Sequence, residues 1–151
     1  MLWPFRKRPL PEPCFSVGQY RIDTAIDELE GLTPLLPTEL MALNAAVHFE
    51  GERIWHAPEA DFLEMKWDTI LGTVRNTIYK IAIQWTGPRD QTGKAYRDVL
   101  IYCTKHYGNG HNHMVWDTSD GNIVVDSRNI GSLGILNVFV TSRKVRDFKR
   151  L

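Results

Sequence analysis

TIYKIAIQW, residues 77–85, shows the alternation of a β-strand more clearly than any other segment of the sequence. Side chains of a strand point to opposite faces with a period of two residues. The pattern therefore predicts one face formed by Tyr79, Ile81, Ile83 and Trp85. It predicts a second face formed by Ile78, Lys80, Ala82 and Gln84. We expect this strand to lie at the centre of the core.

A long amphipathic helix is predicted directly after this strand, over residues 92–107. Apolar side chains recur there at helical spacing and form one continuous face, namely Tyr96, Val99, Leu100, Cys103 and Tyr107. Gly108 and Gly110 follow the last of them, and glycine commonly ends a helix by adopting a left-handed conformation. This helix is expected to cover one face of the sheet.

More strands are predicted on both sides of this strand–helix unit. GERIWHA (51–57) and DFLEMKWDTILGTV (61–74) precede it, with Leu63, Met65 and Trp67 alternating against polar residues. Arg75 and Asn76 are predicted to form a tight turn. HMVWDTSDGNIVVDS (113–127) predicts a hairpin around Asp120–Gly121, and LGILNVFVTS (133–142) predicts a last strand. Strands joined by tight turns are antiparallel.

Two short helices are predicted near the N-terminus. The first is capped by Asp23 or Thr24 and stopped by Gly31, and the second is capped by Thr38. The apolar stripes of the two helices are Ile22, Ala25, Ile26 and Leu29 in the first, and Leu40, Leu43, Asn44 and Val47 in the second. The predicted fold is a two-layer α+β domain. It has a curved, mainly antiparallel sheet of about five to six strands, the long helix on one face and the two short helices.

Residues 1–15 are predicted to be a flexible, proline-rich, basic leader, and residues 16–151 a single domain. Prolines at positions 4, 9, 11 and 13 disfavour regular structure. Leu2, Trp3 and Phe5 stand beside basic residues, so a weak peripheral membrane contact is the alternative to a disordered tail, which the sequence favours. No apolar run is long enough to span a bilayer or to form a secretory signal, so we expect a cytoplasmic protein.

Charge is distributed unevenly along a chain whose formal net charge is zero. Residues 22–68 are rich in Asp and Glu, with only Arg53 and Lys66 as basic residues, whereas the C-terminal SRKVRDFKRL (142–151) is basic. The simplest interpretation is two solvated surfaces, although docking within or between chains is an alternative. A net charge of zero argues against general nucleic-acid binding.

Three of the five histidines lie in HYGNGHNHM, residues 106–114. Two of them, His111 and His113, project to one side if the segment is extended, and His106 lies a few residues away. Such a set suits a zinc ion with an open position for water, and Asp117 is available as a further ligand or an orienting partner. A polar connector between helix and strand is the simpler interpretation, because the glycines make the segment flexible.

Other candidates for chemistry have simpler structural explanations. Cys103 lies near His106 but on the apolar face of the helix, and Cys14 is distant in sequence. Residues 117–121 do not keep the register of a calcium loop, and the acidic residues Glu59, Asp61 and Glu64 are expected to be solvated. No phosphate-binding or nucleophile motif is present, so no cofactor is expected.

The leading hypothesis is therefore a non-catalytic, cytoplasmic module that binds a protein partner. Its alternative is a small zinc enzyme centred on His106, His111 and His113, and a third, weaker hypothesis is a ligand-binding domain with a pocket between helix and sheet. The pattern of elements is similar to that of many small bacterial α+β domains, without any motif that specifies an activity. The oligomeric state does not follow from the sequence.

Overall fold

The computed structural model describes residues 12–42, 47–112 and 114–151. They form an α+β fold with one antiparallel sheet in the strand order β1-β2-β3-β4-β7-β6-β5. The strands are β1 (Thr33–Pro34), β2 (Glu52–Phe62), β3 (Met65–Val74), β4 (Thr77–Pro88), β5 (Val115–Asp117), β6 (Gly121–Ile130) and β7 (Leu133–Ser142). The helices are α1 (Pro37–Ala42), α2 (Arg89–Tyr107) and a 3₁₀ helix (Arg143–Asp147).

The antiparallel sheet with one long helix confirms the predicted fold class, but the sheet has seven strands rather than five to six. The additional strand is β1, whose two residues pair with His56 and Trp55 of β2. So short a strand leaves no period-two pattern in the sequence, which is why it was not predicted.

Helix α2 packs on the sheet through Thr92, Ala95, Val99 and Cys103, all of which are buried. The sheet presents Ile81, Ile83, Val138 and Val140 within the same hydrophobic cluster, each at most 1% exposed. The helix begins at Arg89, earlier than predicted, because β4 leads into it without a loop. Tyr96, Leu100 and Tyr107 lie at the margin of the contact, where they are half-buried.

A β-bulge changes the predicted facing of the first residues of β4. Gly72 pairs with Lys80 and Thr73 with Ile78, so Tyr79 is an extra residue without a partner on β3. The bulge places Ile78 in the main core with Ile81, while Tyr79 joins a second cluster. The predicted sides of Ile78 and Tyr79 were therefore wrong, because a bulge breaks the period of two.

The hairpin between β2 and β3 turns inside the segment that was predicted as a single strand. Leu63 and Glu64 both have positive φ angles, 53° and 61°, and they form the two-residue turn. Arg75 and Asn76 form the turn between β3 and β4 with φ angles of 53° and 62°, as predicted. Two consecutive positive φ angles match the twist of a β-hairpin.

The predicted helix around residues 23–31 is absent, and an irregular segment takes its place. Ala25 forms a β-bridge with Thr77, and the backbone N–H groups of Asp23 and Ile26 donate to Ile78 and Asn76. Ile22 and Ile26 still face the main core, so the apolar spacing had located buried residues but assigned them the wrong conformation. This segment fills the layer beside α2.

Helix α1 is the counterpart of the second predicted helix and spans Pro37–Ala42, six residues. Of the side chains expected to continue its stripe, Leu43 and Asn44 lie outside the described residues, and Val47 lies beyond the helix end. The two predicted N-terminal helices are thus reduced to one short helix.

The last residues of the predicted leader pack against the fold. Cys14 is 1% exposed and Phe15 is 8% exposed, and both belong to the main core. The backbone N–H of Cys14 donates to Asp120 Oδ1 at 2.8 Å, and Tyr107 donates its hydroxyl proton to the Pro13 carbonyl at 3.0 Å. Residues 1–11 lie outside the described residues, so the predicted leader is described only from Glu12 onwards.

The predicted hairpin between β5 and β6 is present, but Gly121 has a different role from the one expected. Thr118 N–H donates to the Gly121 carbonyl, which places Ser119 and Asp120 in the turn itself. A Cβ atom at Gly121 would collide with the backbone carbonyl of Thr141 on β7. Glycine is therefore required for the close approach of two strands and not for a left-handed turn.

No helix among the described residues is both long and apolar enough to cross a membrane.

Candidate binding surface

The face of the sheet opposite α2 carries a row of half-exposed apolar side chains. Register pairs connect His56 with Ile70, Ile70 with Ala82, Ala82 with Phe139, Phe139 with Val124, and Val124 with Val115. Directly paired residues share a face, so these six residues form one line across strands β2 to β5 in the order of the sheet. His56 is exposed and the others are half-buried. We call this side of the sheet the open face.

Polar residues flank the apolar row on both sides. On one side Gln84 Nε2 donates to Asn137 Oδ1 at 2.9 Å, and Arg128 Nε donates to Asp126 Oδ2 at 3.0 Å. On the other side Lys80 Nζ lies 5.4 Å from the centroid of the Phe139 ring, a cation–π contact. An apolar centre with a polar rim is the composition of a protein-binding surface.

A second aromatic cluster closes one end of the open face. Phe49, Tyr79 and Phe148 contact each other edge to face, with ring centroids 5.5–5.7 Å apart and interplanar angles of 75–88°. Val74 and Val145 complete it. The C-terminal segment reaches this position because Phe49 forms a bridge with Arg150, and Leu151 N–H donates to the His48 carbonyl.

Glu52 is the buried polar residue that holds this cluster together. Its Oε2 accepts the hydroxyl proton of Tyr79 at 2.6 Å, and its Oε1 accepts the backbone N–H groups of His48 and Phe49 at 2.8 and 3.1 Å. Burial, followed by this carboxylate, raises the pKa of Tyr79 far above its usual value. The hydroxyl group of Tyr79 therefore stays protonated and donates its proton to Glu52.

A cleft of about 610 Å³ opens beside the second cluster. Its walls come from four separate parts of the chain: Asp23, the loop at 50–51, the turn and strands at 74–79, and the C-terminal segment at 144–149. Its charged lining residues are Asp23, Glu50, Arg75, Lys144, Asp147 and Lys149. One ion pair joins the acidic region to the basic C-terminus here, since Lys149 Nζ lies 3.2 Å from Glu50 Oε2, but both side chains are exposed, in keeping with the favoured interpretation of solvated surfaces.

The two described histidines of the predicted zinc site have separate carboxylate partners. His106 Nδ1 lies 2.8 Å from Glu12 Oε2, and its ring packs on Tyr102 with centroids 4.4 Å apart. His111 Nε2 lies 3.5 Å from Asp117 Oδ2 and is largely exposed. His113 lies outside the described residues. In the described part of the chain, no group of three or more His, Cys, Asp or Glu side chains is arranged to hold a metal.

Both cysteines are buried free thiols. Burial raises the pKa of Cys103 to about 12, and burial, partly offset by the hydrogen bond between Cys14 and Thr118, raises the pKa of Cys14 to about 12. A thiol acts as a nucleophile in its ionised form. The pair Cys103 and His106 therefore lacks the ionised sulfur that nucleophilic catalysis would require.

The acidic candidates from the sequence do not form a cleft of their own. Asp61 pairs with Lys66 at 2.9 Å, and this pair, Glu59 and Glu64 are exposed. Neither Glu52 nor the cleft was predicted from the sequence, because Tyr79, the side-chain partner of Glu52, lies 27 residues away along the chain.

No protein-family model, curated protein or solved structure matches this chain significantly.

Proposed function

We propose that this protein is a non-catalytic binding module of the cytoplasm that engages a protein partner through the open face of its sheet. The observation that carries the proposal is the row from Ile70 to Val115, in which apolar side chains occupy five adjacent strands on the side opposite α2. An antiparallel sheet that faces water normally alternates apolar residues inward with polar residues outward. Contiguous apolar surface rimmed by polar groups is typical of interaction sites.

A protein is a better partner for this face than a nucleic acid. The open face carries charges of both signs, with Lys80 and Arg128 opposed by Asp68 and Asp126. A nucleic-acid-binding surface concentrates Lys and Arg so as to neutralise phosphates. The mixed rim instead suits the polar periphery of a protein interface.

The dimensions of the face favour a transient interaction. Strands lie about 4.8 Å apart, so the row from Ile70 to Val115 is about 19 Å long, and six residues along a strand extend roughly 20 Å in the other direction. The resulting face of at most about 400 Å² is smaller than the roughly 800 Å² per partner of a standard stable complex. We therefore expect micromolar affinity.

Affinity capture from the native host with quantitative mass spectrometry tests the proposal. The bait is compared with Val124→Lys and Phe139→Lys, which place a charge in the row, and with Ile101→Lys as the matched control. Ile101 is 59% exposed on the outer side of α2, so its substitution adds the same charge away from the open face. Thermal melts show that each bait is folded.

The proposal predicts a protein that the unmodified bait and Ile101→Lys retain and that both open-face variants lose. Direct titration of that protein, once purified, should show micromolar binding to the unmodified chain. A partner retained by all folded baits, or no partner above background, overturns the proposal. The zinc-enzyme alternative has less support, because the described histidines, His106 and His111, have separate carboxylate partners.

A further inference from the structure

The cleft beside the second aromatic cluster has the size and the preformed walls of a small-molecule site. Its volume of about 610 Å³ lies within the range of roughly 300–1,000 Å³ that is usual for ligand pockets. It is separate from the proposed docking row, since none of its lining residues belongs to that row.

The aromatic wall of the cleft is held rigidly. Tyr79 and Phe148 line it, and each makes an edge-to-face contact with the other and with Phe49. The hydroxyl of Tyr79 is fixed by Glu52, which also holds the loop at 48–49. Tyr79 already donates its hydroxyl proton to Glu52. It can therefore contact a ligand through its ring but has no proton left to donate to it. The wall therefore suits a planar apolar group.

Three cations and three carboxylates line the cleft, so their formal charges cancel, but they are not all paired. Glu50 is paired with Lys149, and Asp23 accepts the hydroxyl proton of Ser142 at 2.6 Å. Within the described ranges, Arg75 and Lys144 have no carboxylate within ion-pair distance. The residues outside those ranges (1–11, 43–46 and 113) contain no Asp or Glu, so they supply none either.

Arg75 is placed at the rim by a defined backbone conformation. It occupies the first position of the turn between β3 and β4, with a φ of 53°, and this turn is fixed by the pairing of Val74 with Thr77. Lys144 lines the cleft from the start of the 3₁₀ helix, where its backbone N–H donates to Ser142 Oγ at 3.1 Å. Asp23 and Asp147 also line the cleft and carry negative charge, but neither lies within ion-pair distance of Arg75 or Lys144.

We propose that this cleft binds a small organic anion, in which a planar apolar body lies against Tyr79 and Phe148 and a carboxylate or phosphate group is bound by Arg75 and Lys144. The guanidinium of Arg75 matches either anion with two parallel N–H donors, and the ammonium of Lys144 adds a point charge. No covalent step is involved.

Isothermal titration calorimetry with three probes of one shape tests the proposal. The probes are 1-naphthoate, 1-naphthyl phosphate and 1-naphthol, which share the aromatic body and differ in carrying a carboxylate, a phosphate or no charge at neutral pH. We expect one or both anions to bind with one site per chain, and the neutral probe to bind at least tenfold more weakly. The tighter of the two anions identifies the group that the site prefers.

Matched charge variants locate the binding. Arg75→Gln combined with Lys144→Gln should weaken anion binding at least tenfold, while Arg97→Gln combined with Lys105→Gln, both exposed on α2, should leave it unchanged. The single variant Lys144→Gln avoids the turn and provides the same test if the double variant melts early. Equal binding of 1-naphthol, equal losses in both double variants, or no anion binding at millimolar concentration overturns the proposal.

Discussion

Ile81 is a fully buried residue of the central strand and belongs to the main core. Truncating it to Ala should lower the free energy of unfolding by about 2–5 kcal/mol through lost burial and a cavity. Lys80, the next residue, lies on the open face and is half-buried. Lys80→Ala should therefore cost less than about 1 kcal/mol, which includes its contact with Phe139.

Urea unfolding of both variants provides the measurement, and it requires that their slopes with denaturant match that of the parent protein. Equal losses for Ile81→Ala and Lys80→Ala would contradict the facing assignment. They would indicate that the open face is covered as completely as the face beneath α2.

The two thiols offer a second test at single residues. Cys14 and Cys103 each have a pKa raised to about 12 by burial, whereas an unfolded thiol ionises near its usual value of 9.0. We expect no reaction with a thiol reagent at pH 8 in the native protein and two reactive thiols after unfolding. The same shifts imply that stability is fully present below about pH 9 and falls as the pH rises toward 12, since only the unfolded thiols ionise in that window. Rapid labelling of one native thiol at pH 8 would contradict the buried position.

The histidine segment is tested by a metal measurement. If it is a connector, replacing His111 and His113 together by Ala should change stability by less than about 0.5 kcal/mol, the usual range for substitutions outside packed or paired positions. Elemental analysis of the untagged protein should then find no stoichiometric metal. About one zinc per chain, lost in the double variant, would support the zinc site instead.

Local periodicity predicted the facing of residues from Lys80 to Trp85 but failed at Ile78 and Tyr79. A bulge depends on which residue of the neighbouring strand is opposite, and Gly72 makes room for the Tyr79 ring there, since a Cβ at Gly72 would approach that ring to 2.9 Å. The sequence of β4 alone does not contain that information. Glu52 was missed for the same reason, because its three partners are defined only once β2, β4 and the loop before β2 have come together.

At the scale of elements, the hairpin between β2 and β3 is held in an unfavourable turn. Leu63 and Glu64 adopt left-handed angles that cost a non-glycine residue roughly 1 kcal/mol or more. Leu63 contributes to the main core, so Glu64, which is exposed, is the position to change.

Glu64→Gly should raise stability by about 0.5–1 kcal/mol, because glycine adopts this angle without steric strain. Glu64→Ala is the control, since Ala keeps the Cβ atom and gains nothing. Thermal melts of the two variants give the comparison. If Glu64→Ala raised stability as much as Glu64→Gly, the effect would come from removal of the Glu charge and not from the turn.

The elements that the sequence predicted well are those whose own pattern is long. Helix α2 has apolar residues from Ala95 to Tyr107, more than three turns, and β4 alternates from Lys80 to Trp85. Residues 22–29 have helical spacing for only two turns, and there the bonds of Asp23 and Ile26 to the start of β4 replace helical hydrogen bonds. Tertiary pairing thus determines the conformation of a segment too short to form a stable helix by itself.

At the scale of the whole molecule, the open face exists because α2 covers only the other face of the sheet. The cleft exists because segments distant in sequence meet beside the C-terminal segment. Strands β3, β4, β6 and β7 carry apolar residues on both faces, so composition does not indicate which face α2 covers. The cleft requires the loop at 50–51, the β3–β4 turn and the C-terminal segment to meet. The charge pattern allowed a contact between the acidic region and the basic C-terminal segment, because the two are complementary. It did not indicate where that contact would lie.

The N-terminal boundary of the folded unit provides the last prediction. Cys14 and Phe15 lie in the main core, and Phe15 stacks on Phe62 with ring centroids 4.6 Å apart. Deleting residues 1–15 should therefore lower the free energy of unfolding by about 3 kcal/mol or more. Deleting residues 1–11 should leave the melting temperature nearly unchanged, because prolines at 4, 9 and 11 disfavour regular structure in that segment.

Comparing the full-length protein with the variant that lacks residues 1–11 also distinguishes a disordered leader from a membrane contact. Aromatic rings suit the headgroup region and each basic residue contributes about 1 kcal/mol near an anionic surface, but ordering a flexible tail opposes binding. Co-sedimentation with vesicles of anionic lipid at low salt is the measurement, with neutral vesicles as the control. We expect both proteins to remain in the supernatant. Sedimentation of the full-length protein alone, with anionic vesicles alone, would instead assign the basic segment around Arg6 to a peripheral membrane contact and would contradict the proposed cytoplasmic location.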